Sequence, residues 1–204
     1  MSTSVFEIQG TNKDVLIVTF GGCMSKMNRI PPFEFLNTLT KWFPDFDKKF
    51  YIDLHQCWYH KGIQGISTNI AETKTYLEGI INGYKKVLFI GNSAGGYAAI
   101  LFGSLLHVQS VLAFVPQTIL SNTNLEIKYR NLKNIMNTTT KYYLYGDTTV
   151  KNIHDHHHVS HIENVRNFQN VQAIYKDGIS LQEMRDSGEL QTVIVNILDQ
   201  PAFP

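Results

Sequence analysis

The sequence has few cysteines, almost no net charge and no long apolar run. Its two cysteines, Cys23 and Cys57, follow no disulfide-framework spacing, which is typical of reduced thiols in a cytoplasmic protein. A balance of 18 basic and 17 acidic side chains predicts no electrostatic attraction to nucleic acid or to an anionic membrane. The longest apolar stretch, 97–102, is far shorter than the roughly 18 residues of a membrane span. The first ten residues lack the basic and apolar regions of a secretory signal. We therefore expect a cytoplasmic protein with no nucleic-acid or membrane partner.

The remaining composition is that of an ordinary globular chain. A length of 204 residues with 43% hydrophobic residues suits one domain, which we expect to cover residues 1–204. Runs rich in β-branched and aromatic residues, several of them apolar on both faces, alternate with segments of helical periodicity. Strands are predicted at 15–20, 50–54, 86–90, 110–115, 142–145 and 171–175, with a weaker edge strand at 5–9. Helices are predicted at 32–43, 69–82, 94–107, 124–136, 158–168 and 181–198. This order predicts an α/β fold with a mostly parallel central sheet flanked by helices.

The most informative motif is Gly91-Asn92-Ser93-Ala94-Gly95, which lies between a predicted strand and an apolar predicted helix. A G-x-S-x-G sequence in that context indicates a nucleophile elbow, in which the serine occupies a tight strand-to-helix turn. The glycines allow the strained backbone and the close approach of helix and strand. The backbone N–H of Ala94, at a helix N-terminus, can face a developing oxyanion. Because the motif departs from both the dinucleotide-binding and the P-loop patterns, it favours a nucleophile over a phosphate site.

From 15 to the last predicted helix, the chain resembles a small serine hydrolase of esterase type in the α/β-hydrolase superfamily. The elbow is the most specific part of this resemblance, and the rest is the order of elements. The resemblance implies that Ser93 is the nucleophile and that the N–H of Gly22 or Cys23, after an early strand, is the second oxyanion donor. Only one predicted helix lies between the strands at 110–115 and 142–145, so we expect no large lid and a shallow, open site.

The same resemblance implies an acid after the second strand beyond the elbow and a histidine after the last strand. Asp147 and Asp155 both lie where the acid is expected, and Asp155 is slightly favoured by its D-x-x-H context. No histidine follows the last predicted strand. Five of the eight histidines instead fall between 154 and 161. Since triads are defined by geometry and not by chain order, we expect His157 or His158 to be the base.

Three alternatives stay open at this point. His55 or His60 could reach Ser93 from the loop after the strand at 50–54. The protein could lack a base and be a degenerate hydrolase that only binds a ligand. The third alternative is a metal-dependent hydrolase, because the pairs His154/His158 and His157/His161 have the i,i+4 spacing of one helix face and Asp155 could join them. The leading hypothesis requires neither a metal nor any other cofactor.

Four residues are candidates for substrate binding. Trp58, Tyr59 and His60 follow a predicted strand on the side where active-site loops gather, and aromatic side chains supply apolar area with a polar tip. Gln117, after the strand at 110–115, lies on the same rim. The predicted activity is cleavage of a small-molecule or polymer-attached ester by acyl transfer through Ser93.

Overall fold

The computed structural model describes residues 3–24 and 32–200. Within these residues seven strands form one sheet with six α-helices around it. The strands are β1 Val5–Ile8, β2 Asn12–Phe20, β3 Phe46–Tyr51, β4 Lys86–Asn92, β5 Ser110–Phe114, β6 Lys141–Asp147 and β7 Val171–Lys176. The helices are α1 Leu36–Trp42, α2 Ile70–Ile81, α3 Ala94–Leu106, α4 Ser160–Glu163, α5 Leu181–Asp186 and α6 Glu189–Asp199.

The strands lie in the order β1-β3-β2-β4-β5-β6-β7. The edge strand β1 is antiparallel to β3, and every other neighbouring pair is parallel. The predicted α/β class with a mostly parallel sheet is therefore confirmed. Strand β4 lies at the centre, between β2 and β5. Its carboxyl end opens onto the edge of the sheet where parallel α/β folds bind their ligands.

Helices cover both faces of the sheet. Helices α2, α3 and α4 pack on one face, and α1, α5 and α6 pack on the other. Helix α3 is the innermost, with 11 of its 13 residues buried, as expected of a helix that is apolar nearly all round. In the described part of the chain, no helix is long and apolar enough to cross a lipid bilayer.

The predicted helix at 124–136 is wrong. The chain instead forms two short 3₁₀ turns, Ile127–Tyr129 and Leu132–Asn134. Between them the side chain of Asn131 accepts a hydrogen bond from the backbone N–H of Lys133 at 3.1 Å. Such side-chain hydrogen bonds offer the backbone an alternative to the helical pattern, and hydrophobic periodicity alone does not reveal them.

Three other predicted helices are shorter than expected. The segment 32–43 is helical only over α1, Leu36–Trp42. The segment 181–198 divides into α5 and α6, because Gly188 adopts a left-handed conformation with φ of 80°. The segment 158–168 contains only the four residues of α4, followed by turns. The histidines before Ser160 therefore lie in a loop, and their side chains do not have the regular spacing of a helix.

Candidate active site

Ser93 lies between β4 and α3, at the carboxyl end of the central strand. Its backbone has φ of 54° and ψ of −118°, a conformation that costs a non-glycine residue about 1–3 kcal/mol. Two backbone hydrogen bonds hold this turn. Ser93 N–H donates to Phe114 O at 2.9 Å, and Tyr97 N–H donates to Ser93 O at 3.0 Å. The serine therefore has the strained strand-to-helix geometry that a nucleophile elbow requires.

Two glycines make that turn possible. A Cβ on Gly91 would lie 2.1 Å from the carbonyl oxygen of Gly95, and a Cβ on Gly95 would lie 2.0 Å from the carbonyl oxygen of Phe20. Both distances are well inside van der Waals contact, and in both cases the obstructing atom is backbone. Helix α3 can therefore approach β2 and β4 this closely only with glycine at these positions.

The His157 side chain contacts the Ser93 hydroxyl. Its Nε2 lies 2.7 Å from Ser93 Oγ, a normal hydrogen-bond distance. The side chain of His157 is 43% exposed, and partial burial lowers its pKa below the ordinary 6.5 despite the opposing effect of Asp155. The ring is therefore neutral near pH 7 and can accept a proton at Nε2. This contact joins two of the predicted catalytic residues.

His157 belongs to the segment 148–159 between β6 and α4, called here the histidine loop. Side-chain oxygens fold it locally: Asn152 Oδ1 accepts from the His154 N–H at 3.0 Å, and Asp155 Oδ1 accepts from the His157 N–H at 2.8 Å. A β-bridge also pairs Asp147 with His158. Both side-chain bonds join residues two positions apart, so the conformation of the loop follows from the Asn and Asp residues of its own sequence.

The two candidate acids make different contacts. Asp155 Oδ1 lies 4.0 Å from His157 Nδ1, beyond hydrogen-bond distance but close enough to act on the ring by charge. Asp147, at the end of β6, accepts hydrogen bonds from the N–H groups of Thr149, Gly178 and Ile179 at 2.8, 3.2 and 2.9 Å. These bonds lower the pKa of Asp147 and tie the histidine loop to the turn after β7.

The other candidate bases make contacts away from Ser93. His60 is 7% exposed, and its ring nitrogens bond Tyr97 Oη at 2.9 Å and the Glu126 N–H at 3.2 Å. Burial lowers its pKa to about 4. His158 accepts a hydrogen bond at Nδ1 from the Ser160 N–H at 3.1 Å. No contact places His55 at the serine within residues 3–24 and 32–200.

The metal alternative finds no support in the arrangement of side chains. Within the described residues, no group of three or more His, Cys, Asp or Glu side chains is positioned to hold a metal ion. The i,i+4 pairs that suggested a shared face are not on a helix, because α4 begins only at Ser160.

The expected oxyanion donors lie beside an acidic residue that the sequence did not single out. Burial raises the pKa of the Glu34 carboxyl to about 7, and the neighbouring Asn92 side chain and Gly22 N–H act in the opposite direction. Its second oxygen, Oε2, is buried without a partner among the described residues. The Gly22 N–H therefore faces a carboxyl group, and we take the N–H groups of Cys23 and Ala94 as the candidate donors. No sequence signal marks Glu34, which precedes α1 in an ordinary polar and aromatic segment.

The four predicted substrate-binding residues separate into two groups. Tyr59 is fully buried and donates from Oη to Gly21 O at 3.0 Å, and the buried His60 bonds Tyr97 and Glu126, so neither side chain hydrogen-bonds to Ser93 or His157 within the described residues. A role for these two residues in substrate binding stays a prediction. Trp58 and Gln117 are at the site. Trp58 donates its indole N–H to Gln117 Oε1, and Gln117 Nε2 donates to Ser93 Oγ at 3.2 Å.

Comparison with known proteins supports the fold. No protein-family model matches the sequence, and the search of curated proteins finds no match. Among solved structures, the capsule O-acetyltransferase of Neisseria meningitidis serogroup A is 13% identical, with a TM-score of 0.66 over 94% of this chain and 91% of that one. A lipase-esterase related protein from Clostridium acetobutylicum is 12% identical, with a TM-score of 0.59 over 96% and 100% of the two chains. An α/β hydrolase from a Medee basin deep-sea metagenome library is 11% identical, with a TM-score of 0.60 over 98% and 96%. At these identities the likeness shows the fold, which is that of the α/β hydrolases.

Proposed function

We propose that this protein is a serine hydrolase that cleaves carboxylic esters through an acyl-enzyme on Ser93. The observation that carries the proposal is the 2.7 Å contact between Ser93 Oγ, on a strained strand-to-helix turn, and His157 Nε2. A nucleophile and a base within hydrogen-bond reach are the minimum requirement for this chemistry. The histidine loop, rather than the turn after β7, is the source of the base in this proposal.

The first half of the reaction forms the acyl-enzyme. Ser93 Oγ bonds to the ester carbonyl carbon while its proton passes to His157 Nε2. The carbonyl oxygen becomes an oxyanion, which the N–H groups of Ala94 and Cys23 stabilise. His157 then returns the proton to the departing alkoxide as the ester C–O bond breaks, and the alcohol leaves.

The second half uses the same groups. A water molecule loses a proton to His157 Nε2 and bonds to the acyl carbon. The bond between the acyl carbon and Ser93 Oγ then breaks as His157 returns the proton to Oγ, and the carboxylic acid leaves. The charge of Asp155 stabilises the imidazolium that forms in both halves. Its distance of 4.0 Å from Nδ1 makes this a weaker contribution than a direct hydrogen bond.

The proposed substrate is a small-molecule or polymer-attached ester, and the proposed setting is a single cytoplasmic domain without a cofactor. The same acyl-enzyme would transfer its acyl group to an alcohol in place of water if an acceptor bound beside His157. The likeness to a capsule O-acetyltransferase makes this a second outcome to measure. An alcohol acceptor such as a hexose therefore belongs in the assay.

The test compares hydrolysis of p-nitrophenyl acetate by the native protein, by Ser93→Ala and by Ser121→Ala. Ser121 is exposed and lies outside the site, which makes it a matched control. We expect Ser93→Ala to lower kcat/KM roughly 10³-fold or more and Ser121→Ala to leave it unchanged. Equal rates for all three proteins would reject the proposal and favour a binding protein on a hydrolase scaffold.

A further inference from the structure

We propose that Gln117 is a catalytic residue that holds the Ser93 hydroxyl in its reactive orientation, and that Trp58 is the positioning residue that fixes the Gln117 amide. The structure shows a continuous chain of hydrogen bonds from the Trp58 indole through Gln117 to Ser93 Oγ and on to His157 Nε2. This inference rests on the proposed hydrolase function and adds a residue to its machinery that the nucleophile-base pair does not include.

The indole decides which way the Gln117 amide points. An indole N–H can only donate a hydrogen bond, so the amide atom facing Trp58 must be the oxygen, Oε1. The amide nitrogen then faces Ser93, 3.2 Å from Oγ. A flipped amide would set two N–H donors against each other at Trp58. The Trp58 indole therefore fixes the direction of the hydrogen bond between Gln117 and Ser93, in which Gln117 is the donor.

This direction determines where the serine proton lies. A hydroxyl has one proton to donate and lone pairs to accept with. Because Ser93 Oγ accepts from Gln117, its proton is left to point at His157 Nε2, 2.7 Å away. As that proton leaves, Oγ gains negative charge and the hydrogen bond from Gln117 becomes charge-assisted. A bond that strengthens toward the transition state raises kcat and has little effect on KM.

The backbone around Gln117 is built to aim it. Gln117 is 4% exposed, so few side-chain orientations are open to it. Two residues earlier, Val115 has φ of 39°, which is rare for a β-branched residue. The Val115 N–H donates to Tyr145 O at 2.8 Å and holds this turn against β6. Strain of this kind persists where the surrounding structure enforces it, which is common at functional sites.

The Trp58 side is held in a similar way. Gln56, Trp58 and Tyr59 all have positive φ, between 48° and 61°. The carboxylate of Asp53, which is 1% exposed, accepts the N–H groups of Cys57 and Tyr59 at 2.7 and 2.9 Å. The buried carboxylate of Asp53 thus stabilises a loop of residues with positive φ, and this loop directs the Trp58 indole at Gln117.

The experiment measures kcat, KM and the rate at which a fluorophosphonate labels Ser93. Gln117→Glu keeps the side-chain shape and the acceptor for Trp58 but, when ionised, has no proton to donate to Oγ. We expect Gln117→Glu and Gln117→Leu to lower kcat and the labelling rate about 10-fold, with KM within about twofold of native. Trp58→Phe, which removes the indole N–H and leaves a smaller aromatic ring, should lower both rates less.

A double-mutant cycle isolates the positioning role. If Trp58 acts through the Gln117 amide, Trp58→Phe should have no further effect on kcat in the Gln117→Leu background. Gln172→Leu and Trp42→Phe, at an exposed site on β7 and in α1, are the matched controls, and thermal unfolding of each variant verifies that it folds. Native kcat and labelling rate in both Gln117 variants would overturn the inference while leaving the hydrolase proposal intact. No labelling of Ser93 in the native protein would instead overturn the hydrolase proposal itself.

Discussion

The elbow around Ser93 and the histidine loop meet at one hydrogen bond, yet they are built in opposite ways. The elbow glycines Gly91 and Gly95 are buried, and their missing Cβ atoms let α3 touch β2 and β4. The histidine loop is mostly exposed, and short Asn and Asp side-chain bonds give it its shape. Ser93, the proposed nucleophile, is therefore fixed by the packing of the core, whereas His157, the proposed base, is held by local bonds at the surface. Damage to the elbow should affect folding, and damage to the loop should affect activity alone.

The largest effect is expected from Gly95→Ala. The new Cβ would lie 2.0 Å from Phe20 O, a backbone atom that cannot move without disturbing β2. We expect the free energy of unfolding to fall by about 3 kcal/mol or more, as measured by chemical denaturation. Gly79→Ala in α2 is the control, because nothing lies within 4 Å of its Cβ, and it should raise stability by about 0.5–1 kcal/mol. Equal stability of the two variants would contradict a packing origin for the elbow.

His157→Gln tests the other side of the comparison. It removes the proton acceptor at the 2.7 Å contact, so ester hydrolysis should fall roughly 10³-fold. The melting temperature should change little, because the side chain is 43% exposed. His154→Gln, an exposed neighbour in the same loop, should retain native activity. A large loss of stability with His157→Gln would show that the loop contributes to the core after all.

The two candidate acids should show the same contrast: we expect substitution of Asp155 to affect mainly activity and substitution of Asp147 to affect mainly stability. Asp155→Asn removes a charge 4.0 Å from His157 Nδ1, and we expect kcat to fall about 10-fold. Asp147→Asn weakens the hydrogen bonds that the Gly178 and Ile179 N–H groups donate, so we expect about 1–2 kcal/mol less stability and a smaller change in kcat. Measuring kcat and the unfolding free energy for both variants would reveal a reversed pattern, with Asp147 as the acid.

Much of the elbow could be predicted from the sequence, and little of the histidine loop. G-x-S-x-G between an apolar strand and an apolar helix predicts the position of Ser93 because the constraint is local. The absence of a histidine after β7 pointed to 154–161, but choosing His157 over His158 depends on side-chain bonds that no periodicity encodes. Glu34 was missed because its burial depends on segments distant in sequence, and Asp53 was missed because no periodicity marks the N–H groups that it accepts within its own loop. The burial of Tyr59 could not be predicted, since an aromatic residue after a strand can point inward or outward.

The smallest effect concerns pH. His157 must be neutral to accept a proton, and its pKa lies below the ordinary histidine value of 6.5. Activity should therefore rise with pH and level off at a pH below 6.5. Glu34, with a pKa of about 7, ionises above pH 7 and then places a negative charge beside the proposed oxyanion donors. We expect a decline of roughly two- to fourfold above pH 7, measured as kcat/KM against pH. Glu34→Gln, which keeps an acceptor for the Gly22 N–H, should abolish the decline. An unchanged decline in that variant would assign it to another group.

The most direct test of the Ser93–His157 pair is the rate at which a fluorophosphonate forms a covalent adduct, located by mass spectrometry. We predict a single adduct on Ser93 in the native protein, the same rate in His154→Gln, and a rate lower by roughly 10²-fold or more in His157→Gln. Labelling of Ser93 at the native rate in His157→Gln, or an adduct on another residue, would contradict the assignment of His157 as the base.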